Sequence, residues 1–173
     1  SVAVNGALSG TPSHGDVGAT PFVVKVEDAA LASDTATLNI SVVSVYNAWS
    51  NQYSLAEGPT GDDDGDGLKN LAEYGLGGNP TNPSDRGYQP TYGLASGGGS
   101  NWLEYIHVQQ TDPNSGLLYY LELSDNLVSN VWTNTGYTVV GSGPFTNGLD
   151  AVTNQISTDS KDQQFIRLKI EQN

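Results

Sequence analysis

The sequence has no cysteine, no methionine and only two histidines. Without cysteine there are no disulfides, thiol nucleophiles or thiolate zinc sites, so extra stability must come from a bound metal or from the apolar core. His14 and His107 cannot supply a three-ligand zinc site, and no HExxH spacing occurs. Basic residues are also scarce: six Lys plus Arg face nineteen Asp plus Glu, a formal charge of −13. Nucleic acid is therefore disfavoured, because phosphate binding needs a basic footprint. Anionic membrane surfaces are disfavoured for the same reason. No run approaches the roughly 18–20 apolar residues of a membrane span, so membrane insertion is not expected. The chain starts SVAVNGALSG, with neither an initiator Met nor a basic and apolar leader. That start reads as a mature product or an excised part of a longer protein. The acidic surface, rich in Gly, Ser, Thr and Asn, fits a secreted, extracellular or cell-surface setting.

Three segments follow from the hydrophobic pattern. Residues 1–45 are strand-like: Phe22, Val24 and Val26 alternate with Lys25 and Glu27, and Ala36, Leu38, Ile40 and Val42 alternate with polar residues. Period 2 marks strands with one buried face. Residues 28–34 read as their hairpin connection. Two or three strands cannot bury an apolar face alone, so this segment needs a partner. Residues 46–85 change period. Tyr46, Trp49 and Tyr53 form one helical stripe, and Leu68, Leu71, Ala72 and Leu76 a second. Gly75, Gly77 and Gly78 are expected to end the second helix, with NPTNPSDRG as a linker. Residues 86–173 return to strands at WLEYIHVQ, LLYYLELS, GYTVVG, DAVTNQIS and QQFIRLKIE, with GLASGGGSN as a flexible loop and GSGPFTNG and TDSKD as turns. Their spacing predicts an antiparallel β-sandwich or jelly-roll. The expected fold is mainly β: a partial sandwich, a helix–loop–helix element and a C-terminal sandwich.

Between the helical stripes lies GDDDGDGLKNLAEYG. Counted from Asp62, side-chain oxygens recur at positions 1 (Asp62), 3 (Asp64), 5 (Asp66), 9 (Asn70) and 12 (Glu73), with Gly67 at 6. This matches D-x-D-x-D-G-x5-E. Alternate side chains of a tight loop point inward as single oxygens, and the Leu68 carbonyl at position 7 adds a backbone ligand. Glu73 closes the site with two oxygens, and Asn70 binds directly or through a water. Six or seven hard oxygen ligands point to Ca2+ rather than Mg2+. Without a cation the inward carboxylates repel, so binding and folding are expected to be coupled.

The stretch DDDGDGLKNLAEYGLGGNPTNPSD resembles the calcium repeats of bacterial thrombospondin type 3-like and dockerin-like proteins. The resemblance covers about 25 residues and implies a structural, EF-hand-like calcium site. Dockerins carry two such loops and this chain one, which argues against docking to a cohesin. NGALSGTPSHGDVGATPFVVKVEDAALASDTATLNISVV is similar to the last half of a bacterial immunoglobulin-like, cadherin-like domain. LLYYLELSDNLVSNVWTN and QQFIRLKIE are similar to a β-rich module that ends large secreted bacterial proteins.

No catalytic constellation is evident. His14 lies in the turn TPSHGDVG and His107 reads as a packed or rim residue, leaving no base placed against a nucleophile. Glu104 and Glu122 read as residues of a solvated sheet face, not as a glycosidase pair. The glycine-rich stretches precede no phosphate-binding helix. Trp102, Tyr105, Tyr119, Tyr120 and Trp132 lie on or beside strands, as sandwich core or as a sugar-stacking platform. The expectation is a non-catalytic, calcium-stabilised extracellular module with a structural or adhesive role. Its expected partners are other protein domains or copies of itself, joined by β-strand addition into a surface fibre. The alternative is a carbohydrate-binding accessory domain of a secreted polysaccharide-degrading enzyme, with Trp102 and Trp132 on the polysaccharide.

Overall fold

The computed structural model describes residues 6–159 and 162–173. The first five residues of the opening segment, and Ser160 and Lys161 of the TDSKD turn, lie outside the described residues. The fold is mainly β with antiparallel sheets. Strands β1 (Gly18–Glu27) and β2 (Ser33–Val42) form a hairpin in unbroken register. Its turn is closed by Asp28, whose carboxylate accepts from the N–H groups of Ala30 and Ala32 at 2.8 and 2.9 Å. Helix α1 (Val45–Tyr53) follows after two residues, capped by Ser44 Oγ accepting from Asn47 N–H at 3.1 Å. Helix α2 (Asn70–Leu76) lies beyond the acidic loop.

The remaining strands are β3 (Thr91–Gly97), β4 (Ser100–Gln110), β5 (Leu117–Ser124), β6 (Thr138–Thr146), β7 (Leu149–Ser157) and β8 (Phe165–Gln172). They form a four-stranded sheet in the order β3-β4-β7-β6 and a two-stranded sheet of β5 and β8. The sheets pack face to face: Leu121 and Leu123 of β5 meet Ile156 of β7, with Leu103, Tyr105, Tyr137, Ile166 and Leu168 around them. Among the described residues no helix is long and apolar enough to cross a membrane.

Two glycine-rich stretches expected as loop or turn are strands. Residues 93–97 belong to β3, and the loop shrinks to Gly98 and Gly99, both at positive φ. That is the backbone twist a two-residue hairpin requires. GSGPFT belongs to β6, and Asn147-Gly148 makes the turn. Both strands are sheet edges, where glycine and a proline such as Pro144 are tolerated because one row of backbone groups needs no partner. β6 also absorbs two register shifts, between Val139 and Gly141 and between Pro144 and Thr146.

Gly75 does not end α2. It is buried inside the helix, and Gly77 at φ 72° is the cap. A methyl on Gly75 would come within 3.1 Å of Ile170 and 3.2 Å of the Tyr119 hydroxyl, so glycine here permits close packing on the sandwich. Leu68 precedes the helix but packs with Leu76, Val108 and Leu149. The expected linker is a folded loop. Asn79 and Asn82 each accept from the N–H two residues on, Asn79 N–H reaches the Asp85 carbonyl, and Tyr88 N–H returns to the Leu76 carbonyl at 2.9 Å. Asx turns give a proline-rich stretch a fixed path. The helical element is therefore built into the core of the C-terminal sandwich.

Candidate metal centre

The acidic loop is shaped by its own carboxylates. Asp62 accepts from Gly65 and Gly67 N–H at 2.9 Å and from Asp66 N–H at 3.2 Å. Asp64 accepts from Asp66 N–H at 3.1 Å, and Asp66 from Leu68 N–H at 2.6 Å. Gly67 stands at φ 89°, a left-handed conformation that glycine reaches without steric cost. The turn brings one carboxylate oxygen each from Asp62, Asp64 and Asp66 within 4.8 Å of one another.

Glu73 enters from α2, and its side chain is fully buried. Neither of its oxygens has a hydrogen-bond partner, nor does Asp64 Oδ2, and Asp66 Oδ2 is met by an ion pair in place of a hydrogen bond. Burial, then the charges of Asp64, Asp66, Asp62 and Asp85, push the Glu73 carboxyl up to about 7. A buried carboxylate without donors is costly, and several pointing together are costlier still. Arg86, brought back by the folded 77–88 loop, supplies an ion pair. Its Nε lies 3.1 Å from Asp66 Oδ2, while the guanidinium stays half exposed.

Asn70 and Asp63 do a different job. Asn70 is fully buried, and its amide donates to Asp63 Oδ2 at 2.6 Å and to the Gly58 carbonyl at 3.1 Å. Its oxygen accepts from Asp63 N–H at 3.2 Å. Asp63 also accepts from Ala56 and Glu57 N–H, and these bonds, Ala56 first and Asn70 next, hold its carboxyl below the usual range. The pair ties the end of α1 to the start of α2. Sequence spacing made Asn70 a ligand and gave Asp63 no role; the signal for the clamp would have been the amide seven residues after the acid.

An aromatic wall closes the other side. Tyr46, Trp49 and Tyr74 pack with ring centroids 5.2–5.7 Å apart, and Trp49 reaches Tyr53 at 5.3 Å. Burial, with Asp63 and Glu73 nearby, raises the Tyr46 hydroxyl.

The other candidates are scattered. Trp102, half-buried on β4, lies against Gly97 on the face opposite Leu103. Trp132 lies beneath Arg167, 4.0 Å from its ring centroid, and Arg167 bonds Glu122 across the outer face of β5 and β8. The two indoles therefore occupy opposite outer faces of the sandwich. Tyr105 and Tyr119 belong to the interior. Tyr120 donates to Glu171 on the outer face, at 2.8 Å. Glu104 accepts from Gln155 at 3.0 Å. His107 is buried, stacked on Tyr119 and bonded to Asn154, and burial pushes it down to about 4. His14 docks rather than standing free: its N–H donates to Asn114 at 3.1 Å and its ring lies against Gly116. Comparison of the chain with family models, with curated proteins and with solved structures gives no match.

Proposed function

We propose that residues 62–73 hold Ca2+ in an EF-hand-like loop and that the chain is a non-catalytic, calcium-braced structural and adhesive module of an extracellular or cell-surface protein. The observation that carries this reading is Glu73: a fully buried carboxylate with two orphaned oxygens, raised by burial and by the charges of the three clustered aspartates although outside their 4.8 Å group. A divalent cation supplies the missing partner. Asp62, Asp64 and Asp66 would each contribute one oxygen, Leu68 its carbonyl, and Glu73 both oxygens, a hard-oxygen set suited to Ca2+. Asn70 is committed to Asp63 and Gly58, so we assign it to the frame and not to the ion.

The ion's role follows from where α2 sits. Tyr74, Gly75 and Leu76 are core residues of the sandwich, and Gln110 and Tyr119 both bond to the α2 backbone. Occupancy of the loop would then stabilise the sandwich as a unit. A carbohydrate platform on Trp102 and Trp132 is the weaker reading, because one ligand would have to reach both faces. Calorimetric titration with Ca2+, paired with thermal unfolding in Ca2+ and in chelator, tests the proposal. One site and a clear rise in melting temperature are expected. Unfolding that is identical in both media would refute it.

A further inference from the structure

The two carboxylate oxygens of Asp66 have different partners. Oδ1 accepts from Leu68 N–H at 2.6 Å and is committed to the shape of the turn. Oδ2 is buried, takes no hydrogen bond and lies 3.1 Å from Arg86 Nε. The Asp66 side chain is 4 % exposed and that of Arg86 47 %. A half-solvated guanidinium therefore sits on the one oxygen that Asp66 has left to give.

The backbone on either side delivers Arg86 to that oxygen. The Asp85 carbonyl accepts from Asn79 N–H at 3.0 Å, and Tyr88 N–H donates to the Leu76 carbonyl at 2.9 Å. Gly87 N–H donates to Asp85 Oδ1 at 3.3 Å, and the Gln89 amide donates to the Arg86 carbonyl at 2.6 Å. Gly87 stands at φ 67°, and a methyl there would come within 2.5 Å of the Leu76 carbonyl oxygen. A methyl on Gly78 would come within 2.9 Å of the Gly87 nitrogen. Glycine at both positions lets the returning chain lie against the end of α2, the helix that carries Glu73. After burial and the three loop aspartates, the charge of Asp85 also acts on Glu73. Residues 85 and 86 thus bring one charge of each sign to the acidic loop.

We propose that Arg86 is a built-in competitor of the ion: it contends with Ca2+ for Asp66 Oδ2 and so sets how tightly, and for how long, the loop holds its cation. The inference rests on the calcium reading of residues 62–73. Calcium takes its oxygens at about 2.3–2.6 Å. A guanidinium on the same oxygen would leave a double and a single positive charge about 5 Å apart, a repulsion worth roughly tenfold in affinity even in bulk water. Asp66 cannot turn Oδ1 to the ion without releasing Leu68 N–H. Arg86 is the partner that yields, because its exposed side chain can swing into water and lose only a screened pair. Without calcium the same charge offsets the repulsion among the carboxylates. One residue therefore acts with opposite signs on stability and on affinity.

Calorimetric titration of the full chain with Ca2+ tests it, together with thermal unfolding in chelator and stopped-flow release of Ca2+ into chelator. The release experiment starts from loaded protein, so it also serves a variant that folds poorly without the ion. Arg86→Gln should bind Ca2+ about tenfold tighter and release it more slowly, yet melt below wild type in chelator. Arg86→Lys keeps the charge and should bind close to wild type. An Arg86 that merely braced the loop would instead weaken binding and stability together when replaced. A wild type that binds no Ca2+ sinks the calcium reading and this inference with it. A wild type that binds, with an Arg86→Gln variant that holds Ca2+ no tighter and releases it no more slowly, overturns this inference alone. So does an Arg86→Lys variant that tightens as much as Arg86→Gln.

Discussion

Replacing Glu73 with Gln removes one charge and changes little else, and its effect should reverse sign with calcium. With the carboxyl raised to about 7 from an ordinary 4.5, the folded protein holds this proton longer than the unfolded chain does. In chelator, stability is therefore full below pH 4.5 and falls as pH rises through 7. Each pKa unit corresponds to about 1.4 kcal/mol, so the ionised buried group costs roughly 3 kcal/mol at pH 8. Gln escapes that cost but leaves an unpaired amide, worth roughly 1–3 kcal/mol. A net gain of about 1 kcal/mol should raise the melting temperature by roughly 2–4 °C for a domain of this size. At pH 4.5 the advantage should vanish. In saturating Ca2+ the order is expected to invert, because wild type would gain binding energy while the variant offers one neutral oxygen in place of a bidentate carboxylate. Differential scanning fluorimetry at pH 4.5 and 8, with calcium and with chelator, reads all four corners. A variant less stable than wild type at pH 8 in chelator, with the calcium shift intact, would refute the reasoning.

His107 should give the opposite slope. Its folded pKa, pushed down to about 4 from 6.5, makes stability full above pH 6.5 and lost as pH falls to 4, by roughly 3 kcal/mol. Urea titrations in the Glu73→Gln background should show that loss, and His107→Leu should flatten it. Asn70→Ala breaks the clamp to Asp63 and Gly58 and should lower stability by about 1–3 kcal/mol in calcium and in chelator alike. A loss confined to calcium would make Asn70 a ligand after all. Gly75→Ala gains about 1 kcal/mol of helix propensity but drives a methyl to 3.1 Å from Ile170. Overpacking of this kind costs about 1–3 kcal/mol, so thermal unfolding should show a net loss.

Where a strand or helix has one buried face, the sequence displays it. The alternation in β4, β5, β7 and β8 and the Tyr46–Trp49–Tyr53 stripe were all legible for that reason. β3 and the second half of β6 were not, because an edge strand is freed from half of its pairing and need not look like a strand: glycine and proline there satisfy the backbone and leave no pattern. The convergence of Asp62, Asp64 and Asp66 was legible because alternate side chains of a tight, glycine-containing turn point to one side. Asn70 shows the limit of spacing, since its position fits a ligand while its partners make it a clamp. The 77–88 loop was missed because its order comes from Asx turns and from return bonds to α2, contacts set by where the chain goes next.

The two ends of the β1–β2 hairpin enter the body by separate routes. One passes through His14 to the turn that joins β4 and β5; the other passes through α1 and the aromatic wall to Tyr74. Tension applied to the hairpin is thus divided between parallel branches, and among the described residues the one through α1 leads to the acidic loop. The branch through His14 acts as a shunt, so a pull on the hairpin must break that contact before its full load reaches the loop.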